Sequence, residues 1–243
     1  MMEKIENWKI ENFRLINLGD KKQPLLFLEP KLKAKKRLLV AAGFHGDEIA
    51  GVLGIKKFLE SYKPDQEVAV TFLPLVNESG FQLGRRYNKW GENPNRGFCH
   101  QSEIPNSKSR EGQILAGYRE MLVEAGKDGF LTLHEDPNHE MFYIYTFEKE
   151  TKPGMKSEQL MAIGAAEFGQ CGDGKIVNKF ADATDESSVI EGFCINKHDG
   201  SFEDWLWEEG VAYAVCTETP MKADLDRRIK TNTELIKKFI SLA

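Results

Sequence analysis

Short, continuous runs of hydrophobic residues recur along the chain, and segments with helical periodicity separate them. The runs "RLLVAAGF", "FLTLHED" and "VAYAVCTETP" are largely apolar and short, as is typical of strands buried on both faces of a sheet. "EVAVTFLPLV" and "MFYIYTFE" predict two further strands. "FRLINLG" and "PLLFLEP" predict an antiparallel hairpin near the start of the chain.

Helical patterns lie between these strands. "DEIAGVLGIKKFLESY" places apolar side chains on one side and acidic residues in the first turn, where they suit the helix dipole. "REGQILAGYREMLVEAG", "SEQLMAIGAAEFG" and "ADLDRRIKTNTELIKKFISLA" predict three more helices. The alternation predicts an α/β fold over residues 1–243, a single domain with a mixed, mostly parallel twisted sheet flanked by helices. Ligands then belong at the carboxyl ends of the strands.

Composition narrows the class of protein. Hydrophobic residues make up 41% of 243 residues, which is enough for a sizeable core. The net charge of -5 argues against nucleic acid as a partner, and we find no long apolar run for a membrane span and no export signal. The four cysteines form no C-x-x-C pair, so we expect reduced thiols in a cytoplasmic protein. The oligomeric state is not indicated.

The segment from Asn77 to Ser109 differs from the rest of the chain. It is rich in Gly, Asn, Arg and Pro and has little periodicity. A loop of this length inside a compact domain is usually functional or disordered.

Candidate metal ligands follow two of the buried strands. His45 and Glu48 come where one strand passes into a helix, and His134 comes at the end of another. Two imidazoles and a carboxylate suit zinc and leave a fourth position open, as in catalytic sites. A single H-x-x-E is a weak signal, and a polar pair at a strand end is the alternative. "HEDPNHE" does not form a zincin motif, because its histidines are five residues apart and Pro137 breaks any helix between them. Glu135 in this stretch, like the acid after it, is either a residue that orients the ligands or an exposed turn acid.

Three blocks of sequence together resemble one family. "GFHGDE", followed by a lone histidine at a later strand end, resembles the zinc carboxypeptidase family, which includes bacterial murein peptide amidases and, more distantly, aspartoacylases. "NESGFQLGRRYNKWGENPNRGF" resembles a second family block at amidase-like spacing, and "GSFEDWLWEEGVAYAVCTETP" resembles the block with the catalytic glutamate. The matching positions in these two blocks are Asn77, Gly80, Arg86, Asn88, Gly91, Asn95, Arg96, Trp205, Gly210, Tyr213 and Glu218.

The resemblance implies a role for each matched polar residue. His45, Glu48 and His134 would bind one zinc ion, Zn2+. Arg86 would stabilise the oxyanion formed at the attacked carbonyl. Glu218 would be the general base and then the proton donor.

The same resemblance implies a pocket that holds the substrate. Asn95 and Arg96 would bind its free carboxylate. Glu203 falls where the family reads the terminal side chain of the substrate, and an acid there favours a basic group. A slip of one residue would place Phe202 there and favour an apolar group.

The sequence also departs from the family pattern. Glu78 replaces the usual proline after Asn77, and "ENPNR" replaces the more common Asp-Leu-Asn-Arg. Asn196 stands where the digestive enzymes have a mobile tyrosine. His198 either replaces that tyrosine or is a surface residue.

These roles lead to three functional hypotheses. The first is a zinc-dependent metallocarboxypeptidase or amidase that hydrolyses an amide bond next to a free carboxylate in small peptides, such as cell-wall peptides, with a zinc-activated water. The second is an aspartoacylase- or succinylglutamate desuccinylase-like deacylase of N-acyl amino acids. The third is a non-catalytic relative that binds metal or peptide. Retention of all the proposed catalytic residues argues against the third.

Overall fold

The computed structural model describes residues 5–98, 109–179 and 184–243. The strands of these residues are β1 Phe13–Asn17, β2 Leu26–Pro30, β3 Lys36–Ala42, β4 Val68–Leu73, β5 Gly129–Asp136, β6 Tyr143–Phe147, β7 Gly174–Lys179, β8 Thr184–Val189, β9 Phe193–Ile195 and β10 Ala214–Pro220. The α-helices are α1 Ile49–Leu59, α2 Glu78–Leu83, α3 Arg110–Gly117, α4 Arg119–Ala125, α5 Met155–Phe168, α6 Phe202–Glu208 and α7 Leu225–Ser241. A short 3-10 helix, Ile5–Asn7, precedes β1.

Eight strands form one twisted sheet in the order β1-β2-β4-β3-β5-β10-β6-β9. The central strands β4, β3, β5 and β10 are parallel. β1 and β2 form the predicted antiparallel hairpin, and β6 runs antiparallel to β10. β7 and β8 pair separately as an antiparallel hairpin. The predicted α/β class with a mixed, mostly parallel sheet is confirmed.

The sheet is buried on both faces, which explains its continuous apolar strands. Along β3, Leu38 and Val40 pack into one core, and Leu39 and Ala41 pack into the other. Helices α1, α5 and α7 cover the first face, whereas α3, α4 and α6 cover the second. Because successive side chains of a strand point to opposite faces, a strand covered on both sides needs apolar residues at every position.

Several elements differ from the sequence prediction. The loop after Asn77 contains helix α2, and the helix expected over 110–126 is divided at Tyr118, whose backbone (φ -107°, ψ 24°) is not helical. Strands β7, β8 and β9 and helix α6 were not predicted, because their segments lack a strong hydrophobic period. Residues 99–108 of the long loop lie outside the described residues. Among the described helices, we find none with the length and apolar character to cross a membrane.

Candidate metal centre and active site

Three parallel strands bring the candidate residues to one edge of the sheet. His45 follows the end of β3, His134 lies near the end of β5, and Glu218 lies near the end of β10. Glu218 is in register with His134 across the β5–β10 pair. The carboxyl ends of parallel strands meet at one edge, so residues far apart in sequence share one site.

The turn between β3 and α1 aims His45 and Glu48 at this edge. Gly43 adopts φ +66°, a left-handed backbone conformation that residues other than glycine rarely adopt. A Cβ atom on Gly46 would lie 2.0 Å from the carbonyl carbon of Gly80, so a side chain there collides with backbone. The glycines of "GFHGDE" are therefore needed for the turn itself.

The three predicted metal ligands converge on one point. His45 Nδ1 is 2.6 Å from Glu48 Oε1, and His134 Nδ1 is 2.7 Å from Glu48 Oε2. One ligand atom from each residue lies within 4.8 Å of the others, and all three residues are buried. The structure therefore brings together the predicted His-Glu-His set.

Electrostatics keeps His45 and Glu48 in the protonation states that bind a metal. Burial, followed by the charge of Arg86, lowers the pKa of His45 to about 3, so its imidazole is neutral at neutral pH. Burial acts to raise the pKa of Glu48, but the neighbouring His45 and His134 outweigh it and hold this pKa well below its usual value. A neutral imidazole and an ionised carboxylate are the forms that bind a metal. The donor set thus fits a divalent ion with a position left open.

Glu135 lies next to this cluster and connects it to helices α1 and α7. Its carboxylate accepts a hydrogen bond from the backbone N–H of Ala50 (2.7 Å), at the start of α1, and it also pairs with Arg228 of α7. Its own backbone N–H donates to Glu48 Oε2 at 3.2 Å. Glu135 is 1% exposed, so the exposed-turn interpretation is wrong for it. It fixes helix α1 beside Glu48, the predicted metal ligand.

The neighbouring acid, Asp136, is also buried rather than an exposed turn residue. Its carboxylate accepts a hydrogen bond from the hydroxyl of Tyr143 at 2.5 Å. It also accepts backbone hydrogen bonds from Asn138 and His139, and thereby closes the turn after β5.

The long loop holds Arg86 against the centre. The side chain of Asn77 caps α2 by accepting from the backbone N–H of Gly80 (2.8 Å), and it donates to the carbonyl of Arg86 (3.0 Å). The guanidinium of Arg86 then donates from Nη1 to Glu48 Oε1 at 3.0 Å. The family-like positions of this block therefore build the loop as well as the site.

Asn95 and Arg96 reach the same pocket from the end of the loop. Asn95 Oδ1 accepts from the backbone N–H of Phe202 (2.9 Å), and Nδ2 donates to Glu203 Oε1 (3.3 Å). Arg96 Nη2 lies 3.1 Å from Asp185 and 3.0 Å from Asp199. Burial acts to lower the pKa of Arg96, but these two carboxylates outweigh it and raise the pKa. A substrate carboxylate at Arg96 would compete with both aspartates.

Two carboxyl groups flank the centre. Glu218 lines the pocket, and its pKa is raised well above the usual range, first by burial and then by the charges of Glu48 and Asp136. Glu203 is 4% exposed, and burial raises its pKa as well. For both carboxyl groups, burial raises the pKa by more than the nearby positive groups lower it, Arg86 for Glu218 and His134 and Arg96 for Glu203.

Asn196, at the position of the family tyrosine, binds the protein backbone with its side chain. The amide of Asn196 accepts from the backbone N–H of Glu148 and donates to its carbonyl, at 2.8 and 3.0 Å. The His198 side chain is 52% exposed and lies 2.6 Å from Asp204 of α6.

Sequence reasoning missed several polar residues that line the pocket. Tyr145 projects from β6, and its hydroxyl lies 3.2 Å from the Ser187 hydroxyl of the β7–β8 hairpin. Asp185 on that hairpin pairs with both Arg96 and Lys197. The alternation in "MFYIYTFE" marks Tyr145 only as a strand residue, and nothing in "TDESSV" marks Asp185.

Comparisons with known proteins place this fold and site in a family. Residues 34–194 match the model of the succinylglutamate desuccinylase/aspartoacylase catalytic domain. A "putative metallopeptidase" from Shewanella denitrificans OS217 is 33% identical, with a TM-score of 0.84 over 96% of this chain and 86% of that one. Another so named, from Shewanella amazonensis SB2B, is 36% identical, with a TM-score of 0.86 over 95% and 86%.

A more distant structure shares the fold. The murein-tripeptide amidase MpaA of Escherichia coli O157 is 17% identical, with a TM-score of 0.61 over 94% of this chain and 91% of that one. No curated protein matches the chain.

The fold and the clustered His-Glu-His set define a metal-dependent hydrolase of the zinc carboxypeptidase type. Within that class, the chain belongs to the succinylglutamate desuccinylase/aspartoacylase catalytic domain family. The spacing of the family-like residues in the loop block, by contrast, resembles the amidase branch more than this one.

Proposed function

We propose that the protein is a zinc-dependent hydrolase that cleaves an amide bond next to a free carboxylate in a small peptide. The observation that carries the proposal is the convergence of His45, Glu48 and His134 opposite Glu218 at one sheet edge. When bound there, zinc would lower the pKa of a water to roughly 7 and polarise the substrate carbonyl.

Residues of the chain supply the remaining chemistry. Glu218 takes the proton of the attacking water and returns it to the leaving amine as the C–N bond breaks. Arg86, held beside Glu48, stabilises the charge that develops on the carbonyl oxygen. Asn95 and Arg96, which line the same pocket, bind the free carboxylate. The products are a carboxylic acid and an amine.

A second candidate is a deacylase of N-acyl amino acids, which the family model favours. Both candidates cleave an amide whose amine half carries a free carboxylate, so the proposed site serves either reaction. They differ in the acyl half, which is a peptide in the first and a small acyl group in the second.

Metal analysis tests the centre. The purified protein should hold about one zinc per chain. His45→Ala should abolish zinc binding, because it removes one of the two imidazole ligands. His139→Ala is the matched control: this histidine lies on the turn after β5, outside the ligand set, and should leave zinc unchanged. Full zinc in His45→Ala would overturn the site.

A substrate panel tests the reaction. Peptides and N-acyl amino acids should be incubated with wild type and Glu218→Gln, and the released amine measured. Turnover of peptides supports the first candidate, and turnover of N-acyl amino acids the second. Undiminished hydrolysis by Glu218→Gln would exclude it as the base, and zinc binding without any turnover would favour a non-catalytic binding protein.

A further inference from the structure

The two proposed metal-binding histidines differ in the group that lies next to the second ring nitrogen, Nε2. His45 Nε2 is 3.2 Å from Asn93 Oδ1, an oxygen that accepts a hydrogen bond. His134 Nε2 is 3.4 Å from Asn95 Nδ2, an amide nitrogen that donates. Metal-ligating histidines almost always donate their other ring N–H to an acceptor, which fixes the orientation of the ring. His45 has such an acceptor, whereas His134 meets a donor.

Metal binding makes this difference matter. A neutral imidazole has one nitrogen-bound hydrogen. If Nδ1 of His134 binds a metal, that hydrogen must therefore be on Nε2. Nε2–H and the amide of Asn95 would then be two donors facing each other. Asn95 cannot turn its amide to present oxygen, because Oδ1 already accepts from the backbone N–H of Phe202 at 2.9 Å.

Glu203 offers the missing acceptor. A nitrogen of His134, a carboxylate oxygen of Glu203 and the sulfur of Cys216 lie within 4.8 Å of one another. Glu203 Oε1 accepts from the same Asn95 nitrogen that faces His134, while Oε2 is buried and has no hydrogen-bond partner among the described residues. A buried carboxylate oxygen without a partner is costly, so its placement beside the imidazole asks for an explanation.

From this geometry we infer that Glu203 is a positioning residue of the metal centre, which accepts the Nε2–H hydrogen bond of His134 when Nδ1 of that histidine holds the metal. The inference rests on the metal centre proposed above. It differs from the sequence-based role of Glu203 as the reader of the terminal side chain, because a positioning residue acts on metal affinity rather than on substrate choice.

A second metal ion at His134, Glu203 and Cys216 is the competing explanation of the cluster. It would require His134 to bridge two metals through both nitrogens and Cys216 to be a thiolate. Burial, and then the carboxylates of Glu203 and Glu218, raise the pKa of the Cys216 thiol well above its usual value, which opposes the thiolate.

The test measures zinc affinity by competition with a chromophoric chelator. Glu203→Met removes the acceptor and should weaken zinc binding by about 10- to 100-fold. Glu203→Gln has the same shape and keeps one accepting oxygen, so it should lose less zinc affinity than Glu203→Met. It also provides a folded variant if Glu203→Met does not fold. Asn93→Ala, which removes the acceptor behind His45, sets the scale of the effect.

Glu120→Gln is the control, because Glu120 is an exposed acid on α4, a helix on the same face of the sheet as α6, and lies in none of the possible metal-ligand groups among the described residues. Its variant should bind zinc like wild type. Wild-type affinity in both Glu203 variants, with or without a changed substrate preference, would overturn the inference. So would two zinc ions per chain with the second lost in Cys216→Ala. No zinc in the wild type would instead refute the metal centre itself.

Discussion

At the scale of single residues, the Glu48 carboxylate organises the site. Each of its oxygens accepts from two groups: Oε1 contacts His45 Nδ1 and Arg86 Nη1, and Oε2 contacts His134 Nδ1 and the backbone N–H of Glu135. Charge-assisted hydrogen bonds of this kind hold a buried carboxylate ionised and fixed in orientation. If a metal replaces the imidazole hydrogens, Arg86 and the Glu135 backbone continue to hold the carboxylate.

Arg86→Met tests the catalytic half of this arrangement. We expect zinc at saturating metal to stay at one per chain, since all three ligands remain, while kcat/KM falls by about 10²- to 10³-fold, the usual cost of losing one oxyanion donor. The measurement is steady-state kinetics with zinc analysis on the same samples.

Arg85→Met is the control for that change. Arg85 is the exposed neighbour, and its guanidinium donates to the carbonyl of Asn88 at 2.8 Å. Its variant should keep near wild-type kcat/KM. Equal losses in both variants would show that loop folding, rather than charge at Arg86, explains the effect.

The sequence predicts part of this site and misses the rest for a physical reason. His45, Glu48 and His134 carry ligand chemistry at strand ends, a combination that the chain reveals by itself. Tyr145 and Asp185 enter the pocket only through pairing of distant segments, and no local pattern encodes that pairing. The type of a residue indicates the chemistry of its side chain, but tertiary contacts decide which residues share a pocket.

At the scale of elements, the same distinction separates the strands. β3, β5 and β10 are buried on both faces, so their continuous apolar runs predict strands. β7 and β8 form an outer hairpin with exposed positions such as those of "TDESSV", and so they carry little hydrophobic signal. The hairpin matters for function nonetheless, because β8 places Asp185 on Arg96 at 3.1 Å.

Asp185→Asn tests whether the hairpin regulates substrate binding. Burial acts to raise the pKa of Asp185, but Lys197 and Arg96 outweigh it and lower this pKa, so the carboxylate is ionised at neutral pH. It would therefore compete with a substrate carboxylate that binds Arg96, as proposed above. Removing the charge should lower KM by about fivefold, since a partly exposed ion pair is worth up to about 1 kcal/mol, while kcat stays unchanged.

Glu186→Gln is the matched control on the same strand. Glu186 is exposed and pairs with Lys175 within the hairpin, so its variant should leave KM unchanged. A KM that rises in Asp185→Asn would show instead that Asp185 orients Arg96 for the substrate.

At the scale of the whole molecule, the proposed metal centre joins separate layers of the fold. Its ligands come from the ends of β3 and β5 and from the turn before α1. Through Glu135, the same edge is tied to Arg228 on α7, the long helix that packs against α1. A metal bound there contacts segments that separate on unfolding, so its binding energy adds to the stability of the entire domain.

Zinc should therefore raise the thermal unfolding midpoint of the protein. At free zinc 100-fold above Kd, binding adds about 2.7 kcal/mol, which for a chain of this size corresponds to a rise of about 5–10 °C. Differential scanning calorimetry with and without a chelator gives the comparison. His45→Ala should show no zinc-dependent rise, because the ligand set is broken. An equal rise in this variant would place the stabilising zinc away from the His45 site.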